Sequence, residues 1–258
     1  MSNYFNIWTG PSGLQYYSEN DVKWLWAFLQ NKGLSNNAMA GLFGNLYQES
    51  HCCPFELEGW ETQYDRCWDY TCQYIRTATQ SAFGNQTYAG GKGFGLAQWT
   101  TYDRKTALWR YAPTLGGVLK DHTYLGDMER DAHYLYIDLS TWDMRRSNNE
   151  SIWSAQNKTV WQWLTDPNVS ISDAVNAVLM LYEIPFSSAA TQAQWQREYD
   201  VRMNYANKTH LDFTGTTPPP SPDPPPTPTP TPDPPPSGAK LPIWLYFKMK
   251  EMNNNGSK

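Results

Sequence analysis

The spacing of apolar residues predicts an amphipathic helix over residues 19–30. Its apolar positions recur at helical spacing and form one face, made by Val22, Leu25, Trp26 and Leu29. Ser18 is a suitable cap for this helix, because a serine oxygen accepts from the free backbone N–H groups of the first turn. Gly33 is a suitable end. Residues 1–17 lack such a pattern and are predicted to form an N-terminal arm.

The pattern continues along the chain and predicts one domain over residues 18–213. A second helix is expected to begin after Ser35 and to stop before Pro54. Later helices are predicted over residues 103–111, 126–139, 172–183 and 191–207. A short hairpin or irregular sheet is predicted around four glycines, Gly90, Gly91, Gly93 and Gly95. The predicted fold class is therefore α+β, mainly α.

The composition changes at Thr214. Residues 214–239 are rich in proline, threonine and aspartate and predict an extended, semi-rigid polyproline II linker with a rise of about 3 Å per residue. Residues 240–258 follow, with a short apolar core at 243–247 flanked by lysines, too short to span a bilayer. We predict that this segment docks on a partner protein, with a membrane-interface peptide and a frayed tail as alternatives.

Charge and size narrow the class of protein. The chain has 258 residues, and about 200 of them precede the linker, enough for one domain with a sizeable core. A net charge of −5 without a basic patch argues against nucleic acid as a partner. Aromatic residues make up 15% of the chain, which suits ring stacking on sugars as well as ordinary core packing.

Glu49 is the residue with the most informative position. Leu42, Leu46 and Glu49 fall at i, i+4 and i+7, so that a carboxylate shares the stripe expected to face the core. Burial disfavours the charged form of a carboxyl group and raises its pKa. An acid that keeps its proton near neutral pH is what cleavage of a glycosidic bond requires. The alternative is a glutamate at a helix end that turns out to solvent.

Two runs carry a resemblance to a known family. Residues 41–45 read GLFGN and lead to Glu49 and Ser50, and residues 93–100 read GFGLAQWT, followed by Arg104 and Lys105. A weaker third run lies at residues 178–185. Together these runs resemble the phage tail lysozyme domain, a branch of the lysozyme-like superfamily found in tail-tip and tail-knob proteins. In the third run this chain has Ile184 where members of that family commonly have a basic residue. The resemblance spans roughly Ser18 to Phe213.

This resemblance implies cleavage of the β-1,4 bond between N-acetylmuramic acid and N-acetylglucosamine in peptidoglycan, with Glu49 as the acid. Asp103 is the first candidate for a second catalytic carboxylate, although it is also a plausible cap of the helix that follows. The other candidates are Glu56, Glu58, Asp65 and Glu183. The remaining site residues are predicted to line the cleft or to contact substrate, each with a packing alternative: Gly95, Gln98, Trp99, Tyr182 and Glu183.

Several functional alternatives stay open at this stage. Attack by water gives a lysozyme, whereas attack by the sugar's own 6-hydroxyl gives a lytic transglycosylase, which needs no second carboxylate. The short C-terminal segment favours a component of the virion tail over an endolysin. A structural tail protein that only grips the wall is the alternative of another class. The N-terminus lacks the features of an export signal, so we expect synthesis in the host cytoplasm.

The cysteines lie close together, directly after the candidate acid: Cys52, Cys53, Cys67 and Cys72. Disulfides that pair Cys52 and Cys53 with Cys67 and Cys72 have two connectivities, and free thiols are an alternative. A zinc site with His51 is a further one, but the spacing is not the C-x-x-C that zinc ligation favours. We therefore predict no metal and no cofactor.

Overall fold

The structure is a computed structural model that describes residues 8–9, 15–17, 19–58, 79–84, 93–141, 159–183 and 191–216. Eight α-helices and one π-helix dominate these ranges, together with short two-stranded sheets. This architecture confirms the predicted fold class, α+β and mainly α. None of the helices in the described ranges combines the length and the apolar composition needed to cross a bilayer.

The first two helices form where the pattern predicted them. Helix α1 covers Glu19–Asn31 and buries the four predicted apolar residues, and Gly33 follows it in the left-handed region at φ 100°. Helix α2 covers Asn36–Ser50, and the Ser35 hydroxyl caps it by accepting from the Ala38 N–H at 3.2 Å. The proposed cap at Ser18 lies outside the described residues.

Helix α2 runs through the centre of the core. Every residue from Ala38 to Tyr47 is buried, so the helix is covered on all sides and not only along one stripe. It packs mainly against helices α7 and α8, which cover Ile171–Val178 and Gln192–Thr214. The helix ends at Ser50, where His51 and Cys52 both take positive φ values of 53° and 60°.

The later helices differ from the prediction mainly at their ends. Helix α4 covers Tyr102–Arg110, helix α5 covers Met128–Thr141, and α8 extends beyond the predicted end at residue 207 to Thr214. The predicted helix over 172–183 is divided into α7 and a π-helix at Leu179–Glu183. Two short helices were not predicted, α3 at Gln80–Gly84 and α6 at Val160–Leu164.

The β structure is small and divided. Strands β1 and β2, Trp8–Thr9 and Gln15–Tyr17, pair antiparallel within the N-terminal arm. Strands β3 and β4, Thr114–Leu115 and Val118–Leu119, form a second hairpin. The glycine-rich run contributes an isolated antiparallel bridge between Phe94 and Leu57, so its partner is the segment directly after α2. Gly90 and Gly91 lie outside the described residues.

Helix α8 ends at the predicted end of the domain. Gly215 follows it at φ 67°, and its N–H donates to the Leu211 carbonyl at 2.9 Å. Glycine suits this position because left-handed backbone carries no steric penalty without a Cβ. Residues 217–258, which include most of the predicted linker and the whole docking segment, lie outside the described ranges, and the domain boundaries stay a prediction.

Candidate active site

Glu49 lies in the last turn of α2, where the buried helix reaches the edge of the core. Its side chain is 19% exposed, so the carboxyl is largely enclosed but still reaches solvent. Burial raises the pKa of Glu49, and the nearby carboxylates of Glu198 and Glu58 raise it further. The charge and hydrogen bond of Arg202 act in the opposite direction. The raised pKa has the direction expected for a general acid.

Arg202 is the direct partner of Glu49. It lies on α8 with its side chain only 1% exposed, and its Nη2 group donates to Glu49 Oε1. Its Nη1 group donates to Glu198 Oε2 one turn earlier on the same helix. One guanidinium is therefore shared between two carboxylates, with two separate N–H groups aimed at them.

The close approach of α2 and α8 brings Arg202 to Glu49. A Cβ on Gly44 would collide with the Arg202 carbonyl oxygen and lie only 2.9 Å from the Ala206 Cβ. Glycine at this position is therefore needed for the two backbones to meet. Glu49 follows little more than one turn later on α2, at the level reached by the Arg202 side chain.

The segment between Glu56 and Glu58 pairs with the glycine-rich run beside the acid. The Glu58 N–H donates to the Gly93 carbonyl at 3.0 Å, and the Gly93 N–H donates to Glu58 Oε2 at 2.8 Å. Glu58 is exposed, and its charge acts on Glu49. Glu56, in contrast, is 2% exposed with both carboxylate oxygens buried. Of these two candidates for a second carboxylate, Glu58 is the one open to solvent.

Gly95 and Gln98 shape the turn at the end of this pairing. Gly95 has φ 78°, and a Cβ there would lie 2.8 Å from the Trp99 ring. Gln98 takes φ 44°, and its side-chain amide donates to the carbonyls of Gly95 and Glu56 at 3.1 and 3.2 Å. These contacts hold the turn against the segment after α2. A contact of either residue with substrate stays a prediction.

Trp99 and Tyr182 are buried and belong to a hydrogen-bond network around Asp138. Asp138 Oδ2 accepts from Trp99 Nε1 at 3.1 Å, from the Tyr182 hydroxyl at 2.6 Å and from Arg104 Nη2 at 3.0 Å. The two aromatic rings are at most 1% exposed, so neither presents a face on which a sugar could stack in this structure. Their hydrogen bonds are directed at Asp138, and a contact of either residue with substrate stays a prediction.

Glu183 ends the π-helix beside this network. Its Oε1 atom is buried and accepts no hydrogen bond within the described part of the chain. Burial raises the pKa of Glu183 well above its ordinary value, and the charge of Glu49 is the next cause. The charges of Arg104 and Arg202 act in the opposite direction. Glu49 and Glu183 are therefore electrostatic neighbours contributed by two different helices.

A protein-family model covers the part of the chain that holds these residues. The family model for phage tail lysozyme matches residues 20–213, which is most of the chain and all of the site. The chain belongs to the phage tail lysozyme family. Membership implies a phage enzyme of the lysozyme type that degrades peptidoglycan. A search among curated proteins found no match.

Asp103, the first candidate for the second acid, lies in a different environment from Glu49. It is exposed in the first turn of α4, and no contact among the described residues joins its carboxylate to Glu49. Its alternative role as the helix cap was wrong, because the Thr101 hydroxyl accepts from the Arg104 N–H instead. Asp65, another candidate, lies outside the described residues.

Two of the four cysteines lie within the described residues. Cys52 and Cys53 are buried directly after α2, whereas Cys67 and Cys72 lie outside the described residues. Burial raises the pKa of the Cys52 thiol, so an unpaired Cys52 would be unreactive. Among the described residues, no group of three or more potential metal ligands is placed to hold an ion.

Sequence reasoning missed Arg202, Glu198 and Asp138. A signal for Arg202 was present, because it lies at i+7 from Trp195 and i−4 from Ala206, both buried on α8. A charge on a buried stripe is the same signal that identified Glu49. Asp138 follows Leu135 on the buried face of α5 in a similar way.

Proposed function

We propose that this chain cleaves the β-1,4 bond between N-acetylmuramic acid and N-acetylglucosamine, with Glu49 as the general acid. The observation that carries the proposal is the position of Glu49, enclosed enough to raise its pKa and still 19% exposed. Glu49 protonates the leaving oxygen while C1 of the muramic acid gains oxocarbenium character. The family match supports the substrate class.

Glu58 is our candidate for the second carboxylate. It is exposed beside the acid, the Gly93 N–H fixes one of its oxygens at 2.8 Å, and its charge acts on Glu49. A carboxylate in such a place stabilises the developing positive charge at C1 or activates the attacking water. Asp103 remains the alternative, since it is exposed at the start of the next helix along the chain.

Digestion of purified peptidoglycan with the full chain tests both assignments. Released muropeptides are identified by mass spectrometry for wild type, Glu49→Gln, Glu58→Gln and Asp103→Asn. Products with reducing-end muramic acid from wild type, and none from Glu49→Gln, support a lysozyme with Glu49 as its acid. We expect a strong loss with Glu58→Gln and near wild-type activity with Asp103→Asn. The reverse order would move the second carboxylate to Asp103.

Other products distinguish the remaining alternatives. Anhydro-muramic ends would make the enzyme a lytic transglycosylase, in which the 6-hydroxyl replaces water and a second carboxylate is unnecessary. Equal products from wild type and Glu49→Gln would remove Glu49 from its role. The absence of products on several wall types would favour a protein that only binds the wall.

We further propose that the enzyme acts from the virion tail, where it opens the wall for penetration. The family description supports a tail location, and the predicted linker and C-terminal segment suit an enzyme attached to a structural partner. Mass spectrometry of purified phage particles tests this location. Peptides of this chain at a fixed ratio to tail proteins support it, whereas peptides only in the lysate would indicate an endolysin.

A further inference from the structure

The ion pair between Glu49 and Arg202 opposes the protonation of Glu49 that the proposed chemistry requires. An arginine in contact with a carboxyl group favours the ionised form, whereas a general acid must carry a proton before it reacts. Arg202 is only 1% exposed, so water does little to weaken its charge. Burial of the Glu49 carboxyl opposes this effect, and a neighbouring carboxylate that shares the arginine opposes it further.

Glu198 is that neighbouring carboxylate. It lies four residues before Arg202 on α8, and its Oε2 atom accepts from Arg202 Nη1 while Nη2 reaches Glu49. The Glu198 side chain is 24% exposed, so its carboxylate lies nearer the surface than the enclosed guanidinium of Arg202. Two carboxylates and one guanidinium carry a net charge of −1 when all three are ionised. Protonation of Glu49 makes this trio neutral.

The packing keeps the trio in place. The contact of Gly44 with the Arg202 backbone leaves no space for α8 to shift toward α2. Arg202 Nε is buried and has no acceptor among the described residues, so the guanidinium is held only through its two terminal nitrogens. If either carboxylate is removed, the positive charge of Arg202 therefore acts on the remaining carboxylate alone.

We propose that Glu198 is a positioning residue that engages and neutralises Arg202, so that Glu49 is oriented by the arginine and still holds the proton it delivers. This inference rests on the proposed function of Glu49. Glu198 acts through Arg202 and needs no contact with the sugar. The site thus separates two tasks, orientation of the acid by Arg202 and retention of its proton through Glu198.

Other charged groups also face Glu49 and stay in place when Glu198 is changed. Glu58 faces it from the segment after α2, and Glu183 faces it from the π-helix, with Arg104 beside Glu183. A change at Glu198 therefore alters one of several contributions to the Glu49 pKa. The direction of the change in the Glu49 pKa follows from charge, because loss of a negative neighbour favours the ionised form.

The test is the pH dependence of peptidoglycan cleavage by the full chain with Glu198→Gln. Activity is lost at high pH when the general acid loses its proton, so the basic limb of the profile follows the Glu49 pKa. We expect this limb to move down by about one pH unit in Glu198→Gln, with little change in KM. Arg202→Gln, where it folds, should move the limb upward and lower kcat, because the acid is then no longer oriented.

Asp200→Asn is the matched control. Asp200 lies on the same helix, is exposed, and accepts only from the Gln196 side chain among the described residues, so the substitution removes the same charge away from Arg202. An equal shift in Asp200→Asn and Glu198→Gln, no shift in Glu198→Gln, or an upward shift there would overturn the inference.

A second readout does not need activity. The carboxyl ¹³C signal of Glu49, assigned by its loss in Glu49→Gln, reports its protonation directly. We expect its midpoint to fall in Glu198→Gln and to stay unchanged in Asp200→Asn. An active Glu49→Gln enzyme would refute the proposed function, whereas an inactive one with an unmoved Glu49 midpoint in Glu198→Gln would refute only the role of Glu198.

Discussion

Asp138 is the residue that joins three parts of the chain behind the site. Its Oδ2 atom accepts from Trp99, Tyr182 and Arg104, which come from the glycine-rich run, the π-helix and α4. Both members of the Arg104–Asp138 ion pair are about one tenth exposed, at 11% and 10% of their side chains. Hydrogen bonds to an ionised acceptor in such a place are stronger than neutral ones.

Asp138→Asn is expected to destabilise the domain by about 3 kcal/mol, because it removes the carboxylate of the largely buried ion pair with Arg104. The free energy of unfolding from denaturant titration measures this change. Glu19→Gln is the control, since it breaks the more exposed Lys23–Glu19 pair and should cost less than about 1 kcal/mol. A loss at Asp138 no larger than that of the control would contradict the role of the network.

Lys105 is a second buried ionisable residue. Its replacement is expected to stabilise the domain, in contrast to the replacement of Asp138. It is fully buried, its Nζ has no hydrogen-bond partner among the described residues, and burial lowers its pKa to about 8. The folded pKa is below the unfolded one, so the charged form costs stability below pH 8. This cost is relieved as the pH rises from about 8 to the unfolded value near 10.5.

Lys105→Met is therefore expected to stabilise the domain by about 3 kcal/mol at pH 7, a difference that shrinks toward zero as the pH approaches about 10.5. Unfolding titrations of both proteins at several pH values measure it. Leu108→Met, a buried apolar exchange on the same helix, should give a difference from wild type that does not vary with pH. A pH-independent effect at Lys105 would contradict the prediction.

At the scale of elements, the contact between α2 and α8 determines whether the acid meets its arginine. Gly44 is the point of closest approach, and Ala206 faces it from α8. A glycine inside a helix costs stability relative to alanine, by about 1 kcal/mol when the position is exposed. The glycine at this position is explained by the packing of the two helices.

Gly44→Ala is expected to destabilise the domain by about 2 kcal/mol, because the new Cβ collides with backbone atoms of α8. At an exposed helix position the same change would stabilise the helix. Activity should fall as well, since a displaced α8 takes Arg202 away from Glu49. Thermal unfolding and peptidoglycan cleavage measure the two effects. Gln48→Ala, at an exposed position of α2, should leave both nearly unchanged.

The π-helix is the element that helical periodicity missed. The pattern over 172–183 predicted one continuous helix, and the chain does stay helical, but the wider turn at Leu179–Glu183 changes the direction of the side chains that follow. Tyr182 consequently meets Trp99 and Asp138, and Glu183 comes near Glu49. A period of 3.6 residues carries no information about such an insertion.

At the scale of the whole molecule, the local features were predictable and the assembly of the site was not. Caps such as Ser35 and the stripe of α1 follow from spacing within a few residues, and both were confirmed. The contact of Glu49 with Arg202 joins residues 153 positions apart, and no local pattern specifies such a pair. The apolar stripe identified Glu49 as a candidate acid, but only the tertiary structure gave its partner.

The division of the chain after α8 leads to the last prediction. Gly215 ends the helix, and the sequence that follows has no large apolar residue until the segment at 241–247. A chain that stops after Thr216 is therefore expected to keep the melting temperature of the full chain and its rate of cleavage of purified wall fragments. Calorimetry and the muropeptide assay measure these quantities. A lower melting temperature would mean that the C-terminal segment packs on the domain, and an unchanged one would leave it available to hold the enzyme on a structural partner.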